Sequence, residues 1–169
     1  TVDENNLFYE SDGNCIIKKS THTIIAGCIA SVIPQSAKTI GTLAFYGSVP
    51  EPFVIPSNIE KLECYALSMY PGKTLVIPAS VTYLHYEFID YCPNLTQITV
   101  AENNPVYRSE GNCIIEKATG TVVKGCNTSV IPQGIKAIGP CAFRWFQTEE
   151  IVIPHGVEII DEEAFLEST

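Results

Sequence analysis

The chain has 169 residues, 46% of them hydrophobic, which suffices for one domain with a continuous apolar core. Its net charge of −9 at pH 7 argues against nucleic-acid or anionic-lipid partners, because phosphate groups would be repelled. No apolar run approaches the roughly 20 residues of a bilayer span, so we expect no membrane insertion.

A long segment at the start of the chain is repeated 98 positions later: residues 2–45 and 100–143 align without a gap, and 26 of 44 are identical. A shorter period runs along the chain: Val-Ile-Pro recurs, mostly every 22 residues, ending at Pro34, Pro56, Pro78, Pro132 and Pro154. Asp3 and Ala101 take the proline position in two variant coils. The sequence therefore predicts a single domain over residues 1–169 with about seven stacked coils. Because the chain starts and stops within a repeat, we expect a piece of a longer protein.

The two variant coils are 31 residues long and each contains an insert, at 13–28 and 111–126. Each insert consists of two β-prone runs around a polar centre, Thr21-His22 or Thr119-Gly120, which predicts a β-hairpin. A tight loop there would place two cysteine pairs face to face, Cys15 with Cys28 and Cys113 with Cys126. We expect Cys28 and Cys126 to be buried as small hydrophobic side chains, and cross-strand disulfides within the two pairs are the alternative.

The residues just before each proline alternate in a way that predicts a short strand. Phe53 and Ile55, for example, would point inward, and the proline would end the strand because it has no N–H to donate. The outward positions form what we call the valine row: Val54, Val76, Thr99, Val130 and Val152. We expect this row to bind a partner, although β-propensity alone also explains valine there.

A second apolar column lies six residues after each proline position: Ile40, Leu62, Leu84, Ile138 and Ile160. Four residues further on comes a small-then-large pair, as in Ala44-Phe45, which we expect in a helical turn on the return side. The phenylalanines of these pairs, Phe45 and Phe143, should be buried. Strands on one side and helical turns on the other predict an α/β repeat solenoid that is rich in β structure.

Two groups of residues stand out from the repeat. Five tyrosines lie close together in the sequence: Tyr65, Tyr70, Tyr83, Tyr86 and Tyr91. They could form an aromatic ligand platform, but packing on the convex side of the coils is the favoured interpretation. Seven of the 19 acidic residues, Glu149 among them, fall in the last 21 residues, and we interpret them as a solvated flank.

The columns define the unit Leu-x-x-Ile-x-Ile-Pro-x-x-Val-x-x-Ile-Gly-x-x-Ala-Phe, seen most plainly at 95–100 and 130–143. This unit resembles the BspA-like class of leucine-rich repeats found in surface proteins, and the resemblance covers nearly the whole chain. It implies a right-handed leucine-rich-repeat coil with short parallel strands and inserted hairpins. It also implies a cell-surface or secreted protein that acts in adhesion and protein binding, without a shared catalytic motif.

The residues that could carry chemistry do not form a recognisable motif. The seven cysteines contain no Cys-x-x-Cys pair, and the three histidines, His22, His85 and His155, occupy different positions in the coil. We therefore expect no catalytic residue, no metal site and no cofactor.

The predicted function is a non-enzymatic protein-binding or adhesion module with a protein or peptide partner, a host extracellular protein included. A structural spacer that holds another domain away from the cell envelope is the alternative, and a small enzyme is the least favoured class. Uncapped ends at Thr1 and Thr169 would also promote self-association.

Overall fold

The computed structural model describes residues 1–50, 52–147 and 150–168. Over these ranges the chain is a β-solenoid of about 5 turns, and it contains no helix. The α/β part of the predicted fold class is therefore wrong, whereas the solenoid itself is confirmed. No helix that could cross a membrane is present within the described ranges. Glu149 and Thr169, which entered the predictions above, lie outside them.

Short strands account for all of the regular secondary structure in the described ranges. They are β1 (Tyr9–Asp12), β2 (Cys15–Lys18), β3 (Thr23–Ala26), β4 (Thr39–Ile40), β5 (Lys61–Leu62), β6 (Thr74–Ile77), β7 (Tyr83–Leu84), β8 (Gln97–Val100), β9 (Tyr107–Glu110), β10 (Cys113–Glu116), β11 (Thr121–Lys124), β12 (Ala137–Ile138) and β13 (Ile159–Ile160). Their hydrogen bonds form three sheets, ordered β1-β2-β3-β4-β5-β7, β13-β12-β11-β10-β9 and β6-β8.

Both predicted hairpins are present, because β2 pairs antiparallel with β3, and β10 with β11. Each hairpin also gains an unpredicted third strand, β1 or β9, so that each insert is a three-stranded meander. The extra connection is a two-residue turn in which both central residues have positive φ, 54° and 58° at Gly13-Asn14 and 57° and 58° at Gly111-Asn112. Positive φ at both positions is typical of a type I′ turn, which matches the twist of the flanking strands.

The main parallel ladder lies on the second apolar column and not on the residues before the proline. Ile24, Ile40, Leu62 and Leu84 are successive register partners in β3, β4, β5 and β7. Among the residues that the structure describes, the predicted strand before the proline occurs only in β6 and β8, and for the other coils that prediction is wrong.

The hydrogen bonds explain this difference for the two coils that follow the hairpins. The N–H of Val32 donates to Gly13 O at 2.8 Å, and the N–H of Val130 donates to Gly111 O at 2.9 Å. These amides are thus bound to the hairpin turn and are not available to a neighbouring coil. In the next coil, Pro52 removes a donor just before Val54, which disfavours a ladder there as well.

The return side of each coil, which we call the turn face, consists of consecutive tight turns at 41–48, 63–70, 85–92, 139–147 and 161–168. The N–H of Leu43 donates to Cys64 O at 3.0 Å, and the N–H of Phe45 donates to Ala66 O at 3.1 Å. A helix would keep these donors within its own turn, but here every second N–H bonds to the next coil. Leu43 accordingly has a positive φ of 59°, which a helix excludes.

The apolar side chains of the strands and of the turn face form the core, which consists of two clusters, one containing Phe45 and Phe88 and the other Phe143. Phe45, Phe88 and Phe143 are among its largest fully buried side chains, which confirms the prediction for Phe45 and Phe143. The rings of Phe146 and Phe165 lie 5.2 and 5.4 Å from that of Phe143.

The last described coil is more open than the others. Ile153 and Ile160, both expected inside, are 39% and 54% exposed, because no described residue packs beyond them. Self-association through such edges stays a prediction.

Candidate functional site

The places where the two halves of the 98-residue repeat differ identify a cluster on the turn face. The differences that matter replace small or neutral residues by reactive or charged ones: Ala26 by Lys124, Leu43 by Cys141 and Tyr46 by Arg144. In the structure these three side chains meet at one point, between the turns 85–92 and 139–147, where the second hairpin joins the solenoid.

Lys124 and Asp90 form a buried ion pair at the centre of this cluster. Both side chains are 5% exposed, and Lys124 Nζ lies 3.4 Å from Asp90 Oδ1. Nζ also donates to Cys141 O at 2.8 Å. Burial lowers the pKa of Lys124, and the charge of Asp90 opposes that shift. A buried pair of this kind contributes little net stability, but losing one partner leaves an uncompensated charge.

Arg144 contacts Asp90 of this pair and connects it to two further carboxylates, Glu87 on the same turn as Asp90 and Glu163 on another turn. Its Nη1 lies 2.8 Å from Glu87 Oε1 and 3.3 Å from Glu163 Oε2, and its Nε lies 3.6 Å from Asp90 Oδ2. The guanidinium therefore bridges the turns at 85–92 and 161–168 from its own turn. Its planar donors suit several carboxylates at once, which an ammonium group could not match.

Glu87 is held in one orientation by its neighbours. The Tyr65 hydroxyl donates to its Oε1 at 2.6 Å, and the Cys64 thiol donates to its Oε2 at 3.5 Å. Burial alone would raise the pKa of Glu87, but these hydrogen bonds and the charge of Arg144 outweigh it and lower the pKa. The same contacts raise the pKa of Tyr65 to about 12, with the hydrogen bond to Glu87 as the main cause.

Three side chains of this region could hold a metal ion. Cys64, His85 and Glu87 each offer one ligand atom, and these atoms all lie within 4.8 Å of one another. His85 Nδ1 accepts the backbone N–H of Glu87 at 3.2 Å, and its ring stacks on Tyr86 with centroids 4.3 Å apart. Cysteine and histidine are in different coils, so no spacing along the sequence indicated that they would meet.

A groove on the turn face runs beside this cluster. We call it the aromatic groove; its volume is about 540 Å³, and it is lined by Leu43, Tyr46, Tyr65, Ser68, Asp90, Tyr91, Arg144 and Trp145. Tyr46 and Tyr91 are each 50% exposed. The rings of Tyr91 and Trp145 meet edge to face, with centroids 5.4 Å apart. Such a surface offers apolar area on rigid side chains above a charged floor.

The five tyrosines singled out in the sequence are divided by the structure. Tyr70 is buried, and its hydroxyl donates to Thr74 O at 2.8 Å. Tyr65 is half-buried against Glu87, whereas Tyr83, Tyr86 and Tyr91 are exposed. The packing interpretation therefore holds for Tyr70. Of these five tyrosines, only Tyr65 and Tyr91 line the aromatic groove.

The valine row points outward as predicted. Val54, Val76, Val130 and Val152 are 59–74% exposed, and Thr99 is half-buried. Only Val76 and Thr99 are register partners in a strand pair. The role of the row in binding stays a prediction.

All seven cysteines are free, so neither predicted cross-strand pair is bonded in the structure. Cys126 is buried, as expected of a small hydrophobic side chain, but Cys28 is exposed and that prediction is wrong. A register shift between Ile16 and Ile17 places Ile16 opposite Ala26, which moves the hairpin off the simple pairing assumed from the sequence.

Comparisons with known proteins agree with this architecture. The family described as "BspA type Leucine rich repeat region" matches residues 16–119 and 122–169 in six copies. A search of curated proteins gave no match. Among solved structures, a leucine-rich repeat protein from Eubacterium ventriosum has a TM-score of 0.68 at 24% identity, over 78% of this chain and 37% of that protein.

Two further solved structures are similar in fold. A leucine rich cell surface protein from Faecalibacterium prausnitzii has a TM-score of 0.60 at 20% identity, over 76% of this chain and 36% of that protein. The pneumococcal vaccine antigen PcpA has a TM-score of 0.52 at 13% identity, over 89% of this chain and 60% of that protein. The chain thus spans less than two thirds of each of these proteins. Since the repeats match over most of its length, the chain belongs to the BspA type leucine rich repeat family.

Proposed function

We propose that this chain is a non-enzymatic protein-binding or adhesion module of a bacterial surface protein, and that it binds its partner in the aromatic groove. The main support for this proposal is the groove itself, which is a contiguous concave surface with exposed aromatic side chains. A cell surface protein and a vaccine antigen among the solved relatives support an extracellular location.

The composition of the groove is that of a protein interface. Trp, Tyr and Arg are the residue types that most often dominate binding energy, and all three line this surface. The turn face holds them rigidly, since its amides bond from coil to coil, so binding would require little reordering.

The chemistry of the groove also indicates what kind of segment would fit. Trp145 and Tyr91 offer ring faces, and the chain carries a net charge of −9. Arg144 is already paired with Glu87, Asp90 and Glu163, so it offers little free charge to an anion. A partner segment with a Lys or Arg beside an apolar residue would satisfy both the rings and the acidic field.

The valine row is the second surface that we propose for binding. It is apolar and exposed, but valine is under-represented among the residues that dominate interfaces. We therefore rank it below the aromatic groove.

A peptide selection tests both surfaces. A random peptide library would be selected against the immobilised chain, and the enriched peptides would be measured against two double variants. Tyr91→Ala with Trp145→Ala should weaken binding at least about 10-fold per residue, a loss of about 1.4 kcal/mol each. Val76→Glu with Val130→Glu should leave it unchanged.

The reverse pattern, with loss only in the valine variants, would move the interface to the valine row. Enriched peptides that are acidic, or binding that survives both double variants, would overturn the proposal. Circular dichroism of each variant checks that the fold is retained.

A further inference from the structure

We propose that Cys64, His85 and Glu87 bind a Zn²⁺ ion, with solvent in the fourth coordination position. The thiol, imidazole and carboxylate are the three ligand types that zinc prefers. Their ligand atoms all lie within 4.8 Å of one another. Cys64 Sγ and Glu87 Oε2 are already 3.5 Å apart, about the separation of two ligands around one tetrahedral ion, so a shift of the His85 side chain would complete the set. All three residues are half-buried, so an ion could enter from solvent.

The surrounding residues hold each ligand ready to bind. Oε1 of Glu87 accepts from Tyr65 at 2.6 Å and from Arg144 at 2.8 Å, which leaves Oε2 directed at the thiol of Cys64. Outer hydrogen bonds of this kind orient ligands in known metal sites.

The imidazole of His85 is fixed as well. Its ring is stacked on Tyr86, and Nδ1 accepts the Glu87 amide at a long 3.2 Å, so the lone pair lies on Nδ1.

Binding requires that Cys64 give up its proton. In the structure the Cys64 thiol donates to Glu87 Oε2 at 3.5 Å, and its thiolate would be a second negative charge beside that carboxylate. A divalent cation removes this conflict: Zn²⁺ forms a bond to sulfur, and the thiol proton passes to solvent. The carboxylates of Glu87, Asp90 and Glu163 outnumber the positive charges of Lys124 and Arg144, so the local charge also favours a cation.

Two of the three ligands, Cys64 and His85, are particular to their coils, whereas Glu163 takes the position of Glu87 in a later coil. At the position of His85, seven residues after the proline, other coils have Gly41 and Gly139. At the position of Cys64, one residue later, they have Thr42 and Pro140. The site is therefore not a feature that the repeat itself requires.

Cobalt binding gives a direct test, because Co²⁺ substitutes for Zn²⁺ and a cobalt–thiolate bond absorbs in the near ultraviolet. The folded chain, reduced with a phosphine that does not bind the metal, would be titrated with Co²⁺ and then with Zn²⁺. We expect one equivalent of Co²⁺ to produce the thiolate band and Zn²⁺ to abolish it. Mg²⁺ should have no effect, since it does not favour sulfur.

Three variants locate the site. Cys64→Ser should abolish the band, and His85→Gln should weaken cobalt binding at least about 10-fold, as the loss of a ligand or its support does. Cys28→Ser, which changes an exposed thiol on the first hairpin, is the matched control and should behave like the parent chain.

No band in the parent chain would overturn the proposal, as would a band that persists in Cys64→Ser. Thermal melts without metal should be alike for Cys64→Ser and Cys28→Ser, which separates loss of the site from loss of the fold. The test needs no partner, so its outcome is independent of the peptide selection.

Discussion

Replacing Gly125 by alanine should destabilise the chain, and the cost should depend on the ring of Phe143. A Cβ at Gly125 would lie 2.1 Å from Phe143 Cε1 and 2.6 Å from Cδ1, which is far inside van der Waals contact. The ring is 1% exposed and is enclosed by Phe146 and Phe165, so it has no free space to enter. Overpacking of this kind costs about 1–3 kcal/mol.

Phe143→Ala should cost more, about 3–5 kcal/mol, because it removes a large buried ring and leaves a cavity. In that background the methyl group of Gly125→Ala points into the space that the ring vacated. The second substitution should then cost little or restore some stability. Ser129 Oγ would still lie 3.0 Å from the added Cβ, so the two changes should be non-additive by most of the overpacking cost of about 1–3 kcal/mol.

Urea unfolding followed by circular dichroism gives the four free energies of unfolding for this cycle. The first half of the chain supplies a matched control, since a Cβ at Gly27 would lie 2.0 Å from Phe45 Cε1. Additive free energies in both pairs would falsify the close ring–backbone packing described here. Phe143→Ala without loss of stability would refute its place in the core.

Three further predictions follow from the site and the hairpins. Glu87→Gln should make the free energy of unfolding depend less on pH in the acid range. The pKa of Glu87 is lowered in the folded state, so its contribution to stability is present above the unfolded-state pKa and lost as pH falls through the folded-state pKa. Urea unfolding at several pH values would measure this dependence. Iodoacetamide should label exposed Cys28 well before buried Cys113, whose pKa burial raises to about 12, and mass spectrometry of peptides resolves the order. Gly111→Ala should destabilise the chain by at least about 1–2 kcal/mol, because Gly111 has a φ of 57° and a Cβ there would lie 2.1 Å from Val130 O. Equal melting temperatures of the variant and the parent chain would contradict that turn geometry.

The repeat period and the apolar columns were sufficient to predict the solenoid, both hairpins and the buried phenylalanines. The position of the main strand was not predictable in the same way. The sequences around Val54 and around Ile40 are equally typical of a strand. Which of them pairs with a neighbouring coil depends on which backbone amides already donate to a hairpin turn and where a proline has no N–H to donate. The third strand of each insert was not predicted, although the sequence contains its signal, because Gly13-Asn14 is a known two-residue turn sequence.

The turn face shows why helix and tight turn are hard to distinguish from sequence. Ala44-Phe45 suits both, and the choice depends on whether the N–H of Phe45 bonds within its coil or to Ala66 of the next one. The charged cluster was missed for a related reason. Lys124 and Arg144 are visible as departures from the 98-residue repeat, but their partner Asp90 lies in a coil that has no counterpart earlier in the chain.

The hydrogen bonds of the turn face also have an electrostatic consequence. Each of its bridging peptide units accepts from the preceding coil and donates to the following one, as when Ala66 O accepts from Phe45 and the next N–H, of Leu67, donates to Phe88 O. The peptide dipoles in such a column all point the same way, with the positive end toward later coils, much as in a helix.

This polarity gives a physical reason for where two of the acids lie. Glu87 and Asp90 are on the turn at 85–92, which accepts the coil-to-coil hydrogen bonds from Tyr65, Leu67 and Met69. A carboxylate near the positive end of aligned amide dipoles gains about 0.3–1 kcal/mol. Glu87 and Asp90 therefore complement the direction in which these coils are hydrogen-bonded, and reversing the charge of Glu87 should destabilise the turn at 85–92 most.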